Sequence, residues 1–197
     1  MAHRPKDRFR DWNLYHKSVV GLLCSIAVAM VVHAALVYDG AFHIKHEKLI
    51  SVEAATLWPW IISDDNRDRW TTELIDTGVL SGDAGQKGTT RLLFWKRGTK
   101  RWHSLEKVTE SLPGRVFASY QESDMDKRWL RIDLVPAGPC QTRVEIEETI
   151  FPVTYKDRFW FFLSKDDQDK RVIGSLDALD RWTVKSECNL TEQKTAP

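Results

Sequence analysis

Residues 18–38 read SVVGLLCSIAVAMVVHAALVY, a run of about 21 positions without one Asp, Glu, Lys or Arg. At roughly 1.5 Å per residue, a helix over Ser18–Tyr38 covers the ~30 Å hydrocarbon core of a bilayer. Val19, Leu23, Ile26, Met30 and Val37 point to every side of such a helix. Apolar character all round suits lipid or a deep core, not the surface of a soluble domain. His33 sits near the Tyr38 end, where a neutral imidazole can lie close to the headgroups or serve a function inside the membrane.

The flanks give the helix a direction. Arg4, Lys6, Arg8, Arg10 and Lys17 precede it, against Asp7 and Asp11, while the comparable stretch beyond Tyr38 holds Lys45 and Lys48. Basic residues stay on the cytoplasmic side. The expectation is therefore a single-pass protein of the cell (inner) membrane, with a cytoplasmic basic arm at 1–17 and a periplasmic or otherwise extracytoplasmic C-terminal domain. Trp12, Tyr15 and Tyr38 are placed to anchor the two interfaces. A cleaved signal peptide is the rival reading, but signal h-regions run only about 7–15 residues.

Gly21, Ser25 and Ala29 form a small-residue stripe that would let another membrane helix approach closely. They are candidate contacts to other membrane-protein subunits.

About 150 residues remain beyond the helix, the size of one domain. Of 29 basic and 28 acidic residues, five and two lie in the arm and helix, so 24 basic face 26 acidic in the rest. That balance argues against a nucleic-acid partner, which calls for a basic stripe. No metal-ligand spacing is present, and no cofactor is expected. Cys140 and Cys188 lie outside the helix, and an oxidising compartment would permit a bridge between them, though two cysteines do not prove one.

The outer part opens with a strand over 45–52 and a helix over 54–62 that must absorb Pro59. Asp64, Asp65 and Asn66 read as breakers before a short helix or turn at 67–70. Strands follow at 71–80, 89–97, 100–110, 115–123, 128–135 and 141–151, separated by short turns. Leu130, Ile132 and Leu134 alternate with Trp129, Arg131 and Asp133, the period of a sheet with one buried face. Short turns between consecutive strands imply an antiparallel meander. From Thr154 to Glu187 the pattern becomes one long amphipathic helix, with Ser164 or Asp166 as the cap of its main part. Residues 189–197 read as a flexible tail. The fold class is α+β, with a curved antiparallel sheet whose apolar face that helix must cover.

The order of elements and several local motifs carry a resemblance. Val52-Glu53-Ala54 with Trp58, Trp70 after the aspartate-rich turn, and Gly88-Thr89 are three of them. Glu106-Lys107-Val108 with Pro113-Gly114-Arg115, Leu134-Val135-Pro136 with Gln141-Thr142-Arg143-Val144, and Leu176-x-x-Leu179 complete the set. Over 44–188 the chain resembles the START-like superfamily, also called SRPBCC or Bet v 1-like, and its polyketide cyclase/dehydrase branch in particular. Ala55 and Gln141 depart from the family's usual proline and glycine. The resemblance implies a helix-grip fold with a hydrophobic cavity for lipids, polyketides or other apolar small molecules. Fold says little about reaction.

Within that frame, Trp58, Trp60, Trp70, Phe94, Trp95 and Trp102 are candidates for the cavity wall, with Glu148 on the inward side of the last strand. Trp129 and Trp160 are candidates for contact with a partner or membrane. Phe159-Trp160-Phe161-Phe162 form an apolar knot that could guard a cavity mouth, dip into the interface or pack in the core. Catalytic signals are thin: His103 near Glu106, and Glu148 if burial raises its pKa. There is no nucleophile elbow and no phosphate loop.

Three functions fit. The first is a membrane-anchored domain that binds or carries an apolar, lipid- or polyketide-like ligand. The second is an accessory subunit of a larger membrane complex. The third is a cyclase or dehydratase.

Overall fold

The structure is a computed structural model that describes residues 8–37 and 40–183, with side chains described for 14–35 and 40–183. Most of the expected basic arm's side chains, Tyr38, Cys188 and the expected tail lie outside these. The described residues form two units, divided after Gly40.

The first unit is a single helix, α1 (Arg8–Val37). Leu14–Ala35 within it is long and apolar enough to cross a membrane, and no residue of it is buried. Gly21, Ser25 and Ala29 lie exposed along it, and the Ser25 hydroxyl donates to the Gly21 carbonyl at 2.9 Å.

The second unit begins with β1 (Phe42–Ile50), α2 (Ala54–Ile62) and α3 (Asp64–Trp70). Asp64 and Asp65 do not break the chain; they occupy the first turn of α3, where the helix dipole favours acids. Six strands follow in a meander: β2 (Leu74–Ser81), β3 (Thr90–Arg97), β4 (Lys100–Leu112), β5 (Val116–Glu122), β6 (Asp126–Gly138) and β7 (Gln141–Pro152). β1 closes against β7, so the antiparallel order is β1-β7-β6-β5-β4-β3-β2.

The single long helix expected after Thr154 is two helices, α4 (Tyr155–Leu163) and α5 (Lys165–Trp182). Thr154 starts α4 with a capping box: its hydroxyl accepts from the Asp157 amide while the Asp157 carboxylate accepts from the Thr154 amide. Ser164 leaves helical geometry at ψ 19°, and its hydroxyl turns back to the Trp160 carbonyl at 2.8 Å instead of capping α5.

α5 lies on the inner face of the sheet. Val172, Leu176 and Leu179 recur at helical spacing and are buried against Ile44, Ile132, Val144 and Ile146. Each such side chain contributes about 1.5–3 kcal/mol on burial. Leu57 and Ile61 of α2 and Trp70 of α3 complete the core.

Candidate functional site: a charged cavity under the helix grip

The alternation that carries leucines inward carries arginines with them. Arg91 stands two positions before Leu93 and four before Trp95 on β3, and Arg128 two before Leu130 on β6. Both therefore face the interior. Arg171 lies among the buried positions of α5, and Arg67 is 1% exposed on α3. These four arginines meet three buried carboxylates, Glu106, Glu148 and Asp126.

Glu106 is the centre of one cluster. Arg67 donates to both its oxygens, at 2.6 and 2.7 Å. Ser119 and Gln121 donate to Glu106 Oε1 at 2.6 and 3.2 Å. Arg91 Nη1 stands 3.9 Å from Glu106 and 3.3 Å from Asp64, and Arg91 Nη2 donates to the Ile62 carbonyl at 2.9 Å. The Phe117 ring lies 5.3 Å from the Arg67 guanidinium carbon. Burial pushes the Glu106 carboxyl up, but the charges of Arg67 and Arg91 outweigh it and hold it below its ordinary value.

Glu148 is the centre of the other. Arg171 hydrogen-bonds it directly, and Arg128 lies 3.5 Å away while donating to Asp126 at 2.9 Å. Gln168 accepts from Arg171 at 3.2 Å. Burial raises the Glu148 carboxyl, yet Arg171 and Arg128 together bring it below the ordinary carboxylate range. The expected raised pKa is thus reversed, and Glu148 is an ionised partner rather than a proton donor.

A cavity of about 190 Å³ opens beside this second cluster. Arg128, Arg171, Asp126, Gln121 and Gln168 form its polar floor. Trp95 and Trp102, directly opposed on β3 and β4, stack with centroids 6.2 Å apart and form one wall. The Trp95 indole N–H donates to Ser104 at 2.9 Å, which fixes the ring. Trp160 and Phe161 of α4 stand across the mouth, with Arg97, Lys100 and Met125 at the rim. Glu73 completes the rim from a left-handed backbone, φ 73°, and accepts both Arg97 bonds, at 2.5 and 2.8 Å. Such strain in a non-glycine residue costs on the order of 1–3 kcal/mol and tends to collect at functional sites.

The expected cavity wall is thereby divided. Trp95 and Trp102 line the cavity, while Trp70 and Glu148 border a deeper chamber of about 20 Å³. Trp58 lines a different groove at the other end of the sheet, beside Pro113 and Pro136. That groove is larger, about 670 Å³, but it is more open to solvent and lacks a buried charged floor. Trp60 packs on the core, and its carbonyl accepts the Trp70 indole N–H at 2.7 Å. Phe94 is one position out of phase with Leu93 and Trp95, so it stands on the outer face, 38% exposed. His103 is on the outer face too, separated by the sheet from inward Glu106. Trp129 is exposed on that face between Tyr120 and Phe151, with centroids at 4.8 and 5.1 Å. Trp160 is exposed at the cavity mouth.

The buried arginines escaped the sequence reading because charge was assigned to the wet face. Their signal was phase: Arg91 and Arg128 keep step with buried apolar neighbours. No cluster of His, Cys, Asp and Glu suited to a metal occurs among the described residues. Cys140 is disulfide-bonded and Cys24 is free.

No family model matches the chain, and no curated protein matches it. Solved structures do. A START superfamily protein from Mycobacterium smegmatis aligns with TM-score 0.60 at 13% identity, over 72% of this chain and 96% of that one. The Zhui aromatase/cyclase from a Streptomyces species aligns with TM-score 0.59 at 12% identity, over 72% and 92%. A Thermus thermophilus protein aligns with TM-score 0.61 at 15% identity, over 71% and 95%. The seven-stranded sheet gripping α5 is a START-like helix-grip domain by fold. The apolar α1 stands ahead of it in the chain.

Proposed function

We propose that this chain is a single-pass membrane protein whose START-like domain binds an amphipathic small molecule on the extracytoplasmic side. The observation that carries the reading is the mixed lining of the cavity: stacked Trp95 and Trp102 beside a floor of Arg128, Arg171, Asp126, Gln121 and Gln168. An apolar body suits the indole wall, and a hydrogen-bonding end suits the polar floor, whose arginines are already paired with Glu148 and Asp126. A cavity of about 190 Å³ falls below the ~300 Å³ at which drug-sized pockets begin. It admits a ring or headgroup, with the rest of a longer ligand projecting past Trp160. This refines the expectation of a purely apolar ligand.

The membrane reading is supported by the length and apolarity of Leu14–Ala35 and by the basic residues ahead of it. The bonded state of Cys140 agrees with an oxidising compartment. Catalysis has less support: the buried carboxylates Glu106, Glu148 and Asp126 are all paired with arginines and lowered by them, which suits neither a general acid nor a free base.

The test is mild detergent extraction of the full chain, then mass spectrometry of what co-purifies. A discrete amphiphile, lost from Trp102→Ala, is expected. Stoichiometric protein chains with an empty cavity would replace this reading with that of a complex subunit.

A further inference from the structure

α5 covers the inner face of the sheet. A sheet with one face packed ordinarily turns polar residues outward on the other. At one end of β4–β7 the outward positions are instead Leu105, Tyr120, Trp129 and Phe151. Trp129, Leu105 and Phe151 are 46%, 44% and 36% exposed, with nothing among the described residues laid over them. The Trp129 ring stands 4.8 Å from Tyr120 and 5.1 Å from Phe151, so the aromatics are contiguous. An apolar patch of this kind marks a contact surface.

The register says what fits it. One row across the sheet runs Leu105, Glu122, Lys127, Phe151 on β4, β5, β6 and β7, each opposite the next. The row beside it runs Lys107, Tyr120, Trp129, Thr149. Glu122 and Lys127 form an ion pair at 3.3 Å, both half-exposed. A line drawn along the strands between β5 and β6 divides each row into matching halves: acid against base, apolar against apolar, aromatic against aromatic, polar against polar. The next row, Glu110, Ala118, Arg131, Glu147, has a carboxylate at both ends and bounds the patch. A symmetric dimer requires a match of this kind, because where residue i of one copy meets j of the other, j must meet i. An unrelated protein or a lipid surface does not require it.

We propose that the outer face of β4–β7 is a homodimer interface, with the two-fold axis running along the strands between β5 and β6. Leu105 then packs on Phe151 of a second copy and Tyr120 on its Trp129, while Glu122 faces its Lys127. Each contact is made twice. Sheets stacked face to face lie about 10 Å apart with their strands within ~30° of each other, and an axis along the strands gives that arrangement. The charge pairs fix the register of the contact, and the aromatic and leucine side chains supply its apolar area. The inference is independent of the cavity and of the reading of α1.

The experiment is analytical ultracentrifugation of the full chain in mild detergent. Five samples are compared: wild type, Glu122→Lys, Lys127→Glu, the double reversal in one chain, and an equimolar mixture of the two single variants. Circular dichroism checks that each is folded, and the double reversal keeps the ion pair within the chain. Wild type and double reversal are expected to be dimers. Each single variant brings four like charges together at the axis and should weaken the dimer roughly tenfold or more. Mixing the single variants should restore it, because the two acids of one chain meet the two bases of the other. A monomeric wild type overturns the proposal. So does a dimer indifferent to the reversals, whose contact would lie elsewhere, the Gly21, Ser25 and Ala29 stripe of α1 included. Single reversals that dissociate the dimer but are not rescued by mixing overturn it as well, since the pair is then not reciprocal across a two-fold axis.

Discussion

Arg67 on α3 holds Glu106 in mid-sheet through two parallel hydrogen bonds, 2.6 and 2.7 Å long, with both side chains all but closed to solvent. A fork of this geometry ties the helical connection to the sheet at one point. Removing one charge leaves its partner buried and uncompensated. Glu106→Gln should lower stability by about 3–5 kcal/mol. Glu110→Gln, which breaks the exposed bridge to Arg131, should cost at most ~1 kcal/mol. Urea unfolding of the two variants in the same detergent checks the contrast.

Acid should unfold the domain by a defined route. Glu106, Glu148 and Asp126 all have carboxyls lowered in the folded state, where arginine charges outweigh burial. A carboxyl lowered on folding adds stability above its unfolded value and loses it as pH falls through the folded one. Stability should therefore hold from neutral pH to about 4.5 and then decline. Circular dichroism melts between neutral and acidic pH follow this. A domain that melted at the same temperature throughout would refute the account.

Gly85 is a second sensitive point. It is buried with φ +72°, and a Cβ there would stand 2.4 Å from the Ile62 Cβ. Gly85→Ala should destabilise by roughly 1–3 kcal/mol. Gly78 has open space around its own Cβ position, and Gly78→Ala should be close to neutral or mildly stabilising. Thermal melts of the pair separate backbone strain from a general intolerance of substitution.

The indole wall should matter to ligand more than to fold. Trp102 is half-buried and packs on Trp95 and Leu93 in a small cluster apart from the main core. Trp102→Ala should weaken retention of the bound amphiphile by about tenfold, ~1.4 kcal/mol. Leu179→Ala, under the grip, should instead cost about 2–5 kcal/mol of stability. Ligand recovered per folded protein, with the unfolding midpoint measured alongside, tells the two effects apart.

Much of this architecture was legible in the chain. The six-strand meander follows from period-two runs broken by Gly, Pro and Asp turns, and β3 and β7 lie within a residue of expectation. The site was read less well. Trp95 and Trp102 fall in the cavity, but Phe94 does not, because a shift of one residue in a strand exchanges the faces. Glu148 was found by its inward phase, and Arg171 was missed because a charge in a helix is ordinarily assigned to water.

Local pattern, then, determined the apolar α1, the strands, and the amphipathic α5, since periodicity and turn chemistry act over a few neighbouring residues. Tertiary structure decided which charges were buried. Arg67 meets Glu106 across 39 positions and Arg171 meets Glu148 across 23. Whether an arginine can leave water depends on a carboxylate waiting for it, and that partner is supplied only when distant segments fold together.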